Sequence, residues 1–316
     1  MTPSTKVIFE HHQVRKNKKQ KTAFAAYVRA FAAQHGYAYT EEKGAFGANN
    51  LIVGDVKSAK VVYTAHYDTC AVLPFPNFIT PKNFLIYLLY QLLLTALLLL
   101  PMFAVLFALP LLLVLAGMDA DAAVSIALPV AYLALIAILL LVMAGPANKH
   151  TANDNTSGVT LLLDIMQQTP EELRGQVAFI FFDLEEMGLF GSAGYRSRHK
   201  TETQDKLLLN FDCVSDGDHL LFALRKGAKP YAEAISRAFP STETHTVEVL
   251  SRGVFYPSDQ ANFPCGVGVA ALKQGRLGTL YMDRIHTSRD TVYQENNIAY
   301  LCDGAIRLLQ ELSAAQ

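Results

Sequence analysis

The sequence predicts an α/β fold of three layers around a mostly parallel central sheet, interrupted by an inserted two-helix transmembrane hairpin. Three observations predict it. Segments with strand and helix patterning alternate through most of the 316 residues. Several strand-like segments end in acids or a histidine. From Asn83 to Gly145 the only formal charges are Asp119 and Asp121.

Taken in order, "TAFAAYVRAFAAQHG" has helical spacing and stops at Gly36, a C-cap residue type. "NLIVGD" and "KVVYTAHYD" read as strands. "GVTLLLDIMQQT" reads as a helix that starts just after Ser157. "QVAFIFFDLEE" is a continuous apolar run ending in carboxylates, the pattern of a buried strand. "KLLLNFDCV" repeats that design. "HLLFAL", "HTVEVL", "GVAAL" and "LGTLYM" are further strand candidates. "NNIAYLCDGAIRLLQELSAA" is an amphipathic closing helix.

The apolar region divides at "MDADAA" into spans of about 84–116 and 123–145. Each exceeds the roughly 20 residues that cross a bilayer. Pro101 and Pro110 predict a kink in the first span, or an end lying in the interface. The chain on either side must rejoin one domain, so the crossings are even in number, and two is the simplest count. Residues 1–82 and 147–316 are then one discontinuous globular domain, and 83–146 the hairpin. Lys82, Lys149 and the basic run Arg15 to Lys21 lie on the domain side, whereas the hairpin turn carries only acids. The positive-inside rule places the domain on the cytoplasmic side of an inner membrane.

Composition excludes other classes. A net charge of −1 gives no electrostatic footprint for nucleic acid. Cys70, Cys213, Cys265 and Cys302 form no CxxC, and four reduced, buried thiols are expected rather than a disulfide framework. The opening "MTPSTKVIFEHHQVRKNKKQK" has no apolar core, so no cleavable signal peptide is expected.

The chemistry is carried by residues at strand ends, where open α/β sheets bind ligands. His66, Asp154, Glu186, Asp212 and His286 supply two imidazoles and three carboxylates. Zinc takes such ligands, and two zinc ions about 3.5–4 Å apart share a bridging carboxylate. Five ligands with one shared give three per metal.

"HYDT", "NDNTSGV", "FFDLEEMGLFGS", "NFDCV", "SDQANF" and "RIHTSRDT" together resemble the co-catalytic di-zinc exopeptidases, among them aminopeptidase Y, bacterial leucine aminopeptidases, glutamate carboxypeptidase II and the glutaminyl cyclases. The resemblance spans most of residues 20 to 313 apart from the hairpin. It implies a zinc-exopeptidase-like fold and two Zn²⁺, with Co²⁺ or Mn²⁺ as substitutes. It further implies His66 and Asp212 on one metal, Glu186 and His286 on the other, and Asp154 as the bridge. Asp68 would hold the His66 ring from behind, and Glu185 would be the general base acting on a water between the metals. The implied activity is a membrane-anchored exopeptidase acting on peptides with a free terminus, most readily an aminopeptidase. Carboxypeptidase or cyclase action on the same centre, or an inactive membrane scaffold, remain as alternatives.

Two departures stand out. Gln260 occupies a position where the family often has histidine, so a substrate contact is expected to differ there. Tyr256 is a candidate for steadying an oxyanion. The sequon at Asn155 adjoins Asp154 and is read as unused. An antiparallel helix pair returns its ends to one place, so the hairpin can sit between two ligand motifs without parting them.

Overall fold

The structure, a computed structural model, describes residues 1–314. Its strands are β1 (Tyr39–Lys43), β2 (Asn49–Val53), β3 (Val61–His66), β4 (Val177–Phe182), β5 (Leu207–Phe211), β6 (His219–Leu224), β7 (Thr246–Leu250), β8 (Gly266–Gln274) and a short β9 (Leu280–Tyr281). The helices are α1 (Pro3–His11), α2 (Lys18–Gln34), α3 (Phe84–Leu115), α4 (Ala120–Ala144), α5 (Gly158–Gln168), α6 (Phe190–Arg198), α7 (Ala232–Ala238) and α8 (Glu295–Ala314). Strand order is β1-β2-β4-β3-β5-β8-β6-β7, with β9 beside β8. The central four, β4-β3-β5-β8, are mutually parallel. Antiparallel pairs flank them, so the whole sheet is mixed.

Side-chain alternation builds the layers. In β4, Val177, Phe179 and Phe181 enter the larger core, while Ala178, Ile180 and Phe182 enter a second core on the opposite face. A strand covered on both faces has no polar side, which is why "VAFIFF" shows none. Helices α1, α2, α5, α7 and α8 contribute to the larger core and α6 to the smaller. Two elements lacked a hydrophobic signal in the sequence. Strand β1, "YTEEK", is a charged edge strand, a composition that discourages further pairing. Helix α1 starts with Pro3 at N1 and Thr2 as N-cap, and buries little beyond Ile8.

Helix α3 runs unbroken through Pro101 and Pro110. Part of its excess length lies against the globular body. The first turns dock on the α/β body: Phe84 and Tyr87 pack on Phe255, the Tyr90 hydroxyl donates to Pro76 O (2.7 Å), and Gln91 donates to Asn77 (2.9 Å). The remainder, 92–115, rises roughly 36 Å, which matches the roughly 37 Å of α4. Both helices are long and apolar enough to cross a membrane. Where they pack together, α4 buries Ala123, Ala127 and Ala131, four residues apart, which lets the axes approach. Leu93, Phe107, Leu115, Leu133 and Leu141 point outward and are exposed.

A short neck closes the hairpin at its base. Ala71 and Ala147 form an antiparallel bridge, with hydrogen bonds from Val72 N to Pro146 O and from Asn148 N to Cys70 O.

Candidate metal centre

Strands β4, β3 and β5 are neighbours and run the same way, so their C-terminal ends share one edge. His66 ends β3, Asp183 follows β4, and Asp212 follows β5. Asp154 comes from the turn before α5, and that turn is held by its own polar side chains. Asn153 Oδ1 accepts from the amides of Ser215 (2.7 Å) and Asp216 (3.1 Å). Asn155 donates to Phe211 O (3.0 Å), which ties the turn to the end of β5 and buries the sequon. Asp290 accepts from the amides of Asn153 (2.8 Å) and Asp154 (2.9 Å). Gly158 is needed for close approach, since a Cβ there would lie 2.3 Å from Phe211 O.

The five expected donors converge. His66 Nε2 lies 3.2 Å from Asp154 Oδ1 and 3.4 Å from Asp212 Oδ1. His286 Nε2 lies 3.1 Å from Asp154 Oδ2 and 3.1 Å from Glu186 Oε2. A tetrahedron around zinc with bonds near 2.0–2.1 Å has edges of about 3.3–3.4 Å, so both groups have the spacing to hold a divalent cation. Glu186 Oε1 is buried and has no hydrogen-bond partner among the described residues, as expected of a group meant for an ion. Cys70 Sγ, not foreseen here, also lies with Glu186 and His286 in a set whose donor atoms are all within 4.8 Å.

Backbone conformation singles out the same place. Leu184, Cys213 and His286 have φ of 55°, 58° and 64°. Left-handed backbone at residues with side chains is uncommon and concentrates at functional sites. Here it lies immediately before Glu185, immediately after Asp212, and at His286 itself.

Electrostatics separate the acids. Burial alone would raise the Asp154 carboxyl, but the His286 and His66 rings outweigh it and hold the group well below the usual range. Burial drives Glu185 far up, and Asp212, Glu186 and Asp259 add to the effect against the pull of His66. Asp259 is fully buried without a hydrogen-bond partner for either oxygen among the described residues, and the nearby Ser192 hydroxyl donates to Leu189 O. Burial pushes Asp259 up to about 7.

Three details differ from expectation. The Asp68 carboxylate is 3.6 Å from His66 Nδ1, too far to hold it; the Asp68 main-chain oxygen does so at 3.2 Å. A proton on Nδ1 leaves Nε2 bare for a cation. The carboxylate of Asp68 instead accepts the amides of Glu185 (3.1 Å) and Glu186 (3.2 Å). Tyr256 is buried and donates to Asp212 O (2.9 Å), so its hydroxyl braces the β5 end rather than facing a substrate. Gln260 is also buried and bonded to Tyr256 O and Asn210, so its polar atoms serve the interior. The four cysteines are free and buried, as expected.

Sequence reasoning missed Arg15 and Asp290. Arg15, read as part of a surface basic run, is fully buried and donates to Tyr67 O and His12 O behind the centre. Both act through contacts across more than 50 residues, which local patterning does not encode.

A cavity of about 390 Å³ opens onto the centre. Its walls include Asp68, Cys70, Glu186 and His286, with Lys16 and Lys21 at one side and Val142, Met143 and Ala144 from the last turn of α4.

Comparison with known proteins bears on the fold and the family. The chain resembles a Legionella pneumophila aminopeptidase, LapA (TM-score 0.58, 13% identity, 99% of this chain and 68% of that one). It resembles a Porphyromonas gingivalis glutaminyl cyclase (TM-score 0.56, 17% identity, 97% and 98%). A Zn-dependent exopeptidase from Parabacteroides distasonis is similar too (TM-score 0.56, 14% identity, 96% and 97%). At these identities the likeness is one of fold. No curated protein sequence matches the chain. The family description "Peptidase family M28" matches residues 139–301, about half of the chain, from the end of α4 through His286 into α8. The chain therefore belongs to peptidase family M28 and is a zinc-dependent metallopeptidase.

Proposed function

We propose that the chain is a membrane-anchored di-zinc aminopeptidase with Glu185 as general base. One observation carries the reading: two imidazoles aim Nε2 at different oxygens of the single buried carboxylate of Asp154. That is the arrangement of a bridging ligand. His66 and Asp212 would complete one metal site, and His286 and Glu186 the other. Two bound zinc ions would polarise the scissile carbonyl and acidify a water.

The other steps fall to the chain. Glu185 lies outside the five donors, and burial among acids raises its proton affinity. It would take a proton from the attacking water and return it to the leaving amine. Asp68 fixes the base by holding the Glu185 and Glu186 amides. Glu185 and Asp259 are carboxyl groups beyond those the metals use, and the Asp259 oxygens, buried without a hydrogen-bond partner among the described residues, are acceptors that suit a substrate with a free ammonium end. The aminopeptidase among the similar structures supports the same direction.

A carboxypeptidase reading has one observation on its side. Lys16 lines the cavity and donates to Met143 O, with no carboxylate partner among the described residues. Its ammonium could receive a substrate carboxylate. A panel of free-amino, amino-blocked and carboxyl-blocked peptides separates the readings. Cleavage restricted to free-amino peptides, lowered by about 10²–10⁴ in Glu185→Gln with zinc retained, is expected. Cleavage that tolerates a blocked amino end and requires a free carboxyl would overturn the aminopeptidase assignment.

For the membrane, the exposed leucines of α3 and α4 are the support, since water would not leave such a pair extended from the body. Residues 1–82 and 147–316 would form the catalytic domain and 83–146 the anchor. The last turn of α4 forms part of the cavity wall. Substrates would therefore be membrane-proximal peptides. Lys16, Lys82 and Lys149 gather near the hairpin base and favour a cytoplasmic domain; Arg15, being buried, adds nothing to that bias.

A further inference from the structure

We propose that Cys70 is a ligand of the second metal, its thiolate joining His286, Glu186 and Asp154 in a four-donor site beside the three-donor site at His66. This rests on the di-zinc reading above and assigns a donor beyond its five.

Two independent observations point to it. Cys70 Sγ, a Glu186 oxygen and a His286 ring nitrogen all lie within 4.8 Å of one another. A tetrahedral edge between sulfur and nitrogen around zinc is about 3.6 Å, from bonds near 2.3 and 2.05 Å, so the donors stand at most about 1.2 Å beyond coordination spacing. Separately, Glu186 Oε1 is buried without a partner among the described residues in a side chain only 7% exposed, and Glu186 lines the same cavity as Cys70 and His286. The cluster is thus built around a position that protein groups leave unfilled.

The backbone holds the thiol there. Cys70 begins the neck of the hairpin, where its carbonyl accepts from Asn148 N (3.1 Å). Leu73, three residues on, donates to His286 O (2.8 Å). Cys70 and His286 are therefore tied to each other through one short stretch of chain.

On coordination the thiol gives its proton to solvent, and the sulfur lone pair forms the bond to the metal. The two sites then differ in kind. The first has nitrogen and oxygen donors, whereas the second has a soft donor that selects zinc or cobalt over manganese.

Zinc X-ray absorption on the full chain in detergent tests this directly. The expected spectrum has a sulfur shell near 2.3 Å at about one sulfur per two zinc ions, lost in Cys70→Ser and kept in Cys213→Ser. The second control is needed because Cys213 Sγ donates to Asp212 Oδ1. In Cys70→Ser the first zinc should remain, which also reports folding, while affinity for the second falls by more than the roughly 10–100-fold that loss of an outer-shell partner costs. Two zinc ions with only nitrogen and oxygen neighbours in the wild type would overturn the thiolate ligand and leave the di-zinc centre standing. A wild type that binds no zinc would overturn both. If Cys70→Ser does not fold, the wild-type sulfur shell still decides the question.

Discussion

Asp290 shows how much of the centre depends on single side chains that touch no substrate. It accepts two adjacent amides, those of Asn153 and Asp154. The two amides meet different oxygens, Oδ1 and Oδ2, and asparagine in its place would set an NH2 donor against one of them. Asp290→Asn should loosen the Asp154 turn and weaken zinc binding about 10–100-fold, as measured by competition with a chelator; unchanged affinity would remove Asp290 from the account. Asp164 is a residue-scale test away from the metals. It accepts from the Thr2 (3.0 Å) and Ser4 (3.1 Å) hydroxyls, yet burial raises its pKa. A carboxyl raised in the folded state stabilises the fold fully below its unfolded value of about 4. That contribution is lost as pH rises through the folded value. Denaturant unfolding of wild type against Asp164→Asn should therefore show the wild type losing ground as pH increases from about 4 toward neutral.

Elements differ in how far the sequence disclosed them. Strands β3, β4 and β5 were legible because each is a buried run that stops at a polar residue with a chemical role. His66, Asp212, Glu185 and Glu186 lie at or just beyond those ends, whereas which acid is the base and which the ligand comes only from the family resemblance. Helix α5 and the closing helix α8 showed in their apolar periodicity. Strand β1 and helix α1 were not legible, since neither buries a continuous apolar face. The role of the Asp68 carboxylate was also hidden. Its partners are amides of residues 185 and 186, brought near only when β3 and β4 pair. The hairpin itself was plain, although the docking of the first turns of α3 was not. Its helix contact is testable at the same scale. Ala127 is buried in the α4 stripe, and Ala127→Leu should cost about 1–3 kcal/mol through overpacking. Thermal unfolding in detergent would read this as a lower midpoint, and an unchanged midpoint would mean that the stripe is not a tight contact.

At the scale of the whole molecule, an apolar hairpin is set into the rim of a hydrolytic centre without parting its ligands. The Ala71–Ala147 bridge makes this possible, because the two ends of the insertion are already paired. Removing residues 84–144 and joining the ends by a flexible linker, which keeps the Leu73–His286 hydrogen bond and the Ile79–Met282 bridge, should yield a folded body that stays in solution without detergent and still binds zinc. Failure to fold would show that α3 and its docked tyrosines belong to the core. The most direct test of the central claim is zinc stoichiometry in the full chain and in two variants. Asp154 as a shared ligand predicts two zinc ions in the wild type, one retained in His66→Ala, and weakened binding at both sites in Asp154→Ala. A single zinc in the wild type, or two tightly held zinc ions in Asp154→Ala, would contradict it.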